Sequence, residues 1–310
     1  MHDAPLTQDN ASEACVIPVL DTGIFHCTML AVVSERRSLS KGKKMKKFAT
    51  VLAAVLIAPL IFALGTKEGE TSTLVVGAAS EPHAQMLWQI APDLAEQGIN
   101  LKVVESSDDD YLNMSLENGS MDANFFQHIP FMEMYNKEKG THLVSVGRVH
   151  IEPLALYSSK ITSLIELRKG ATVAIPDDPT NTGRALLLLQ KAGLIQLAPG
   201  AGSRGTIQNI IINTRDLEFI QVSSNKIASM LKNVDAAMIN GNYALEAGLS
   251  AAKDGLLVED NDIPYANVVA VREGNQNDPR IIALVKALQS KKIKRFIEER
   301  YPAGEVICVF

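Results

Sequence analysis

The sequence predicts an α/β protein with two similar lobes, and three observations support this fold class. Short β-branched segments alternate with segments of helical spacing from residue 73 onward, which is typical of a mostly parallel sheet with helices on both faces. Residues 116–126 and 231–239 both run from a helix end through a hydrophobic-Asp-Ala strand to another helix; chance is the alternative, because Asp-Ala is common. Apolar residues make up 46% of the 310 residues, which is enough for a buried core.

Strands are predicted where β-branched and apolar residues fill five to seven consecutive positions. These segments are 73–79, 100–105, 121–126, 143–149, 152–157 and 171–175. Helices are predicted where apolar residues recur three and four positions apart. These segments are 82–97, 110–118, 130–139, 163–169, 182–192 and 278–299. Gly98, Gly140 and Gly193 end three of the helices, since glycine readily adopts the left-handed conformation that closes a helix.

The first 65 residues are not expected to belong to the fold. A basic cluster at 43–47 precedes an apolar run at 48–64, which is shorter than the ~20 residues of a membrane span and is typical of an export signal. We therefore expect residues 45–65 to be the signal and residues 66–73 to be a polar tether between the membrane surface and the fold. Residues 1–44 are expected to be a non-native or untranslated extension, with a genuine cytoplasmic extension as the alternative.

The charge and the cysteines exclude several classes of protein. Residues 1–65 carry seven Lys/Arg and five Asp/Glu, so the rest of the chain has a net charge of −7, compared with −5 for the whole. An acidic chain without a basic block is not expected to bind nucleic acid. The cysteines Cys15, Cys27 and Cys308 form neither a disulfide framework nor a CxxC pair.

The sequence contains no motif that predicts catalysis or a bound cofactor. Residues 200–205 match GxGxxG, but Ala198-Pro199 precedes them instead of a strand, so a surface loop is expected rather than a nucleotide site. No GxSxG elbow is present, and Asp108–Asp110 is expected to be a solvated loop and helix cap. Four histidines lack metal-ligand spacing, and no metal is expected; they are His83, His128, His142 and His150.

The segment 177–189 predicts an anion site. A buried strand ends at Ile175, a turn of Asp, Pro, Thr and Asn follows, and a helix is expected to start at about Thr182. The first turn of a helix attracts anions and disfavours cations, so Arg184 at this place is expected to contact a bound carboxylate. The alternative is that Arg184 pairs with Asp177 or Asp178.

A cleft is predicted at the carboxyl ends of the strands, where open α/β sheets bind their ligands. This rule places Gln127 and His128 of one lobe, and Asn240 of the other, at a shared cleft. Alternation along the strand makes Phe125 and Phe126 face opposite sides, so one of them at most faces the cleft.

Six segments spread over residues 74–310 resemble the methionine-binding lipoproteins that feed a methionine ABC importer. They are 82–84 (PHA), 122–128 (DANFFQH), 151–157 (IEPLALY), 175–186 (IPDDPTNTGRAL), 239–244 (INGNYA) and 268–274 (VVAVREG). The resemblance implies a type II periplasmic-binding-protein fold with a ligand cleft between two α/β lobes. The expected lobes are 74–157 plus 262–310, and 158–261.

The resemblance also implies a site and partners. Arg184 would hold the α-carboxylate of methionine, while Asn181 and Asn240 contact the α-carboxylate and the α-amino group. The thioether pocket would be lined by Tyr111, Phe126 and His128, with Trp88 and His83 as further candidates. The implied protein is not an enzyme and is a monomer without a cofactor. Its expected partners are L-methionine, the permease and ATPase of the importer, and the membrane surface.

One position departs from the family pattern. The family's lipobox ends in the cysteine that carries the lipid, and Thr66 stands at that place here. The expected location is therefore the periplasm, either associated with the membrane as in the family or released in soluble form. Three other functions stay open: binding of another amino acid or a methionine-containing dipeptide, an exported enzyme on the same fold, and a metal-binding component of an importer.

Overall fold

The computed structural model describes residues 71–260 and 264–310, so the predicted extension, export signal and most of the tether lie outside the described residues. These described residues belong to one compact unit. In the described part, no helix combines the length and the apolar character that crossing a membrane requires. The unit consists of two α/β lobes, each built on its own sheet.

The strands of the described residues are β1 (Ser72–Ala78), β2 (Ile99–Glu105), β3 (Ala123–His128), β4 (Leu143–Ile151), β5 (Ala155–Tyr157), β6 (Thr172–Pro176), β7 (Ile195–Leu197), β8 (Ile210–Asn213), β9 (Glu218–Val222), β10 (Ala236–Ile239), β11 (Leu257–Val258), β12 (Asn267–Arg272) and β13 (Ile307–Cys308). The α-helices are α1 (Gln85–Ala95), α2 (Asp109–Glu117), α3 (Ile129–Lys139), α4 (Pro179–Lys191), α5 (Ser224–Ile227), α6 (Gly241–Glu246), α7 (Ala251–Asp254), α8 (Pro279–Leu288) and α9 (Lys291–Arg300).

Both large sheets are mixed, although a mostly parallel sheet was predicted. The first has the order β13-β4-β12-β3-β1-β2 and the second β11-β5-β10-β6-β9. β1 is parallel to β2 and β3, and β6 is parallel to β9 and β10, whereas β12 and β5 are antiparallel to their neighbours. The reversal has a topological cause, because β5 and β12 are the strands that the chain enters directly after it crosses between the lobes.

The internal repeat predicted from the sequence is confirmed in atomic detail. Asp122, just before β3, accepts a hydrogen bond from the amide of Val75, and its own amide donates to the Val75 carbonyl. Asp235, just before β10, makes the same two contacts with Thr172. A basic side chain neutralises each aspartate: Arg280 in the first lobe and Lys160 in the second. The two βα units are therefore equivalent, and both strands end at the cleft.

Apolar side chains cover both faces of each sheet, so each lobe has its own core. α1 shows how the helices contribute, because its buried residues are Met86, Leu87, Ile90 and Leu94. This spacing of three and four positions leaves Trp88 on the opposite face, 50% exposed.

Several predicted boundaries are wrong for local reasons. Residues 155–157, predicted as the end of the first lobe, form β5 of the second sheet. The predicted final helix is two helices, because the Ser290 side chain caps the amide of Ile293 and begins α9. The predicted helix 163–169 is a single 3₁₀ turn, Leu164–Glu166. α4 begins at Pro179, so Arg184 lies in its second turn and not its first.

Candidate functional site

A polar cavity lies between the lobes, where the strands of both sheets end. The residues that line it are Asp109, Phe126, Gln127, His128, Phe131, Glu152, Asn181, Arg184, Ser224, Asn240, Gly241, Asn242, Tyr243 and Asn267. The helices α2, α3 and α4 all begin at this cavity, and the amide groups and dipole of a helix N-terminus favour a bound anion. Gln127, His128 and Asn240 line it as the strand-end rule predicted.

Asn181 joins the two lobes at the cavity. Its Oδ1 accepts from Asn240 Nδ2 at 3.0 Å and lies 3.2 Å from His128 Nε2 in the other lobe. The other ring nitrogen of His128, Nδ1, accepts from the amide of Phe131 and caps α3. A neutral ring that accepts at Nδ1 carries its proton on Nε2, so His128 donates to Asn181. Burial, aided by the charge of Arg184, lowers the pKa of His128 to about 4, which agrees with a neutral ring.

Arg184 is fixed by a carboxylate that sequence reasoning did not identify. Its Nε lies 2.9 Å from both carboxylate oxygens of Glu259, and its Nη2 lies 2.5 Å from Glu259 Oε2. Nη2 also donates to the Glu152 carbonyl at 3.1 Å, and the ring of Tyr265 lies 4.4 Å from the guanidinium carbon. Nη1 makes no hydrogen bond to the residues that the structure describes, so it is the part of Arg184 that remains for a ligand.

Two acceptor side chains, those of Asn240 and Glu152, line the cavity wall. Asn240 Oδ1 is buried and has no hydrogen-bond partner among the described residues. Glu152 is also buried, and its carboxylate contacts two histidines that stand behind the wall. A buried acceptor without a partner is costly, so Asn240 Oδ1 suits a ligand that brings N–H groups.

Direct hydrogen bonds hold the lobes closed over the cavity. Tyr243 of the second lobe donates to Asp109 Oδ1 of the first at 3.0 Å, and Asn225 Nδ2 donates to the Ser107 carbonyl at 2.8 Å. Burial raises the pKa of Asp109 to about 7, aided by the negative charge of Asp178, while the bond from Tyr243 lowers it.

Comparison with known proteins identifies the family of this chain. Residues 74–310 match the family model described as NlpA lipoprotein. The chain belongs to the NlpA lipoprotein family. The predicted resemblance to methionine-binding lipoproteins is thereby confirmed, and the fold is the two-lobed fold of periplasmic binding proteins.

Three similar proteins illustrate the relationship. The membrane lipoprotein TpN32 of Treponema pallidum is 40% identical over 263 residues, which are 85% of this chain and 98% of the relative. The methionine-binding lipoprotein MetQ of Bacillus subtilis is 39% identical over 273 residues, 86% of this chain and 99% of the relative. A nutrient binding protein from Burkholderia cenocepacia, solved bound to methionine, is 39% identical with a TM-score of 0.73, covering 76% of this chain and 100% of that one.

The structure brings together five of the residues proposed from sequence for the site of this NlpA-family chain. They are Phe126, His128, Asn181, Arg184 and Asn240. Tyr111 is 48% exposed and does not line the cavity, because it lies two residues after Asp109 on α2 and points to another face. Phe131 lines the aromatic wall near Phe126, with their ring centroids 6.2 Å apart.

The remaining candidates also lie off the wall. Trp88 is exposed on α1, and His83 is fully buried behind Glu152. Asp109, expected to be solvated, is a half-buried residue that lines the cavity, while Asp108 beside it caps α2 as predicted. Glu259 lies 75 residues from Arg184, so no local pattern indicates the pair. Glu152 lies in a segment of the family resemblance, which was the one sequence signal for it.

Proposed function

We propose that this chain is the methionine-binding component of an ABC importer. The observation that carries the proposal is the set of groups at one cavity: Arg184 Nη1 and three helix N-termini for a carboxylate, and Asn240 Oδ1 for an ammonium group. The rings of Phe126 and Phe131 suit the polarisable thioether. The methionine-bound relative at 39% identity supports the same ligand.

The location and partners are part of this proposal. Both relatives are lipoproteins by name, and TpN32 is named a membrane lipoprotein, which supports export and a place at the membrane. Because Thr66 stands where the lipid-bearing cysteine is expected, we propose that this chain works as a released, soluble monomer. The ligand would pass from the closed lobes to the permease and ATPase of the importer. No cofactor and no turnover of the ligand are part of this function.

Calorimetric titration tests the ligand. The full chain, unfolded and refolded to remove carried-over ligand, is titrated with L-methionine, D-methionine and L-leucine. We expect one equivalent of methionine to bind and leucine to give no heat, since a branched side chain does not fit a site built for an unbranched thioether. Incubation with methionine followed by mass spectrometry should return the ligand unchanged; a product would contradict the proposal.

A pair of variants connects the binding to the cavity. Asn240→Ala removes the acceptor and the contact with Asn181, so methionine should bind at least tenfold more weakly. Asn100→Ala, exposed on the edge strand β2, is the matched control and should bind like the parent chain. Unchanged affinity in Asn240→Ala would show that methionine does not bind at this cavity. Heat from leucine alone would show that the ligand is an amino acid other than methionine.

A further inference from the structure

Two fully buried histidines stand directly behind the cavity wall. His150 Nε2 lies 2.5 Å from Glu152 Oε1, and His83 Nε2 lies 3.5 Å from the same oxygen. The two imidazole rings pack with their centroids 4.8 Å apart, and each meets the ring of Phe125 edge-on. Of the three side chains in this cluster, Glu152 is the one that lines the cavity.

The distances between the side-chain atoms of the cluster show whether a metal ion or a hydrogen bond connects them. A tetrahedral zinc ion with bonds of about 2.0–2.2 Å keeps its ligand atoms about 3.3 Å apart. The separation of 2.5 Å between His150 Nε2 and Glu152 Oε1 is too short for two ligands of one zinc ion, and it is that of a direct hydrogen bond. His150 therefore donates its Nε2 proton to Glu152 Oε1.

Neither histidine of the cluster brings a positive charge to Glu152, which lines the cavity. Burial lowers the pKa of His150 to about 3 and that of His83 to about 4, so both rings are neutral at neutral pH. Arg184 has its own carboxylate partner in Glu259. Among the residues that the structure describes, Glu152 thus has hydrogen-bond donors but no cation of its own.

Asn240 is the neighbour that completes this part of the site. The next residue, Gly241, packs so closely on Glu152 that a Cβ there would lie 2.4 Å from the Glu152 Cβ. Asn240, whose Oδ1 has no partner among the described residues, and Glu152 are therefore close neighbours in the lining of the same cavity. An amide oxygen beside a carboxylate is a typical receptor for an ammonium group.

We propose that Glu152 receives the α-ammonium group of the bound amino acid, and that His150, supported by His83, is the positioning residue that orients Glu152. The proposal rests on the proposed function, since it names the partner of one end of the amino acid. It requires a ligand with a cationic amino group, which places L-methionine inside the accepted class and its des-amino analogue 4-(methylthio)butanoate outside.

The pH dependence of binding reports the role of His150. Burial raises the pKa of Glu152, whereas the positive charge of Arg184 lowers it. The titratable groups that act on Glu152 from the surrounding elements are His83, His150, Arg184, Glu246 and Tyr301. Loss of the His150 N–H removes a donor to the ionised carboxylate, so the pKa of Glu152 rises further. As the pH falls through that pKa, the carboxylate takes up a proton and the site for the ammonium group is lost.

The experiment compares four full chains by titration with L-methionine between pH 5.5 and 8.5. His150→Phe keeps the packing of the ring and removes the donor, while His150→Gln retains a donor. His142→Gln, exposed and paired with Glu117, is the matched control. Because Asp109 and the ligand titrate alike in every chain, their effects cancel in the ratio of the affinities.

We expect His150→Phe to bind at least about fivefold more weakly than the parent at pH 5.5 and within threefold at pH 8.5, because loss of the donor raises the pKa of Glu152 and the carboxylate is protonated only at the acid end of this range. His150→Gln and His142→Gln should stay within threefold throughout. An equal loss at every pH, or no loss, would overturn the positioning role even though methionine binds. Zn²⁺ alone binding in one equivalent to the parent but not to His150→Phe would show a metal site instead. Absence of methionine binding by the parent would overturn the proposed function itself, and the Zn²⁺ titration would still test the cluster.

Discussion

Arg184 has two tasks at the residue scale, one structural and one proposed for the ligand. Its Nε and Nη2 neutralise Glu259, and Nη1 remains for a carboxylate. A single truncation of Arg184 therefore mixes two effects, because it also leaves the Glu259 side chain, 11% exposed, without its partner. Losing one member of a buried ion pair typically costs about 3–5 kcal/mol of folding free energy.

A double variant separates the two tasks of Arg184. We expect Arg184→Ala to lower the free energy of unfolding by about 3–5 kcal/mol in urea denaturation. Adding Glu259→Gln removes the uncompensated charge and should restore most of that stability. Methionine binding should be lost in both variants, since neither supplies Nη1. Binding by the double variant with the affinity of the parent would show that Arg184 serves the fold alone.

The residue types of the site were predictable because each follows a rule that acts over a few positions. His128 and Asn240 follow strands, and Arg184 lies near the start of a helix. Glu259 was not predictable, because a pair 75 residues apart depends on how the chain crosses between the lobes. Tyr111, which the family resemblance implied, lies off the cavity because it is two residues after Asp109 on α2, and that spacing turns its side chain to another face.

The position of α4 shows how one helix determines the geometry of the site at the element scale. Asp178 caps its first turn by accepting from the amides of Thr180 and Asn181. Gly183 lets the helix approach the 3₁₀ turn Gly202–Arg204, since a Cβ there would lie 2.1 Å from the Ser203 carbonyl oxygen. The GxGxxG match at 200–205 is thus a loop that packs on α4, and its function in the fold is to position that helix.

Gly183→Ala tests this contact. In an exposed helix the change would stabilise by about 1 kcal/mol, since alanine has the higher helix propensity. Here the added methyl group meets backbone, so we expect a loss of about 1–3 kcal/mol in the free energy of unfolding and weaker methionine binding as α4 shifts. Thermal unfolding measured by circular dichroism gives the sign directly. A higher midpoint in the variant would contradict the packing of α4 against this turn.

The division into two lobes was predictable at the scale of the whole molecule, because the repeat at Asp122 and Asp235 appears in the sequence. The directions of β5 and β12 could not be predicted. A strand that enters a sheet from the cleft side is antiparallel to its neighbours, and no local residue pattern indicates from which side the chain enters. The closed arrangement follows from contacts across the cleft, above all the bond from Tyr243 to Asp109.

Closure should depend on pH through Asp109. In the closed form its pKa is about 7, whereas in an open form water returns and the pKa is near its ordinary 3.8. The closed form therefore holds a proton that the open form releases between these values, so closure weakens as pH rises from about 4 to 7 and is constant above.

Asp109→Asn keeps an acceptor for the Tyr243 hydroxyl and removes the titration. Small-angle scattering of the ligand-free chain should show the parent opening over this range, while Asp109→Asn stays closed and the exposed control Asp93→Asn follows the parent. A variant that opens with the same pH profile as the parent would assign the response to another group.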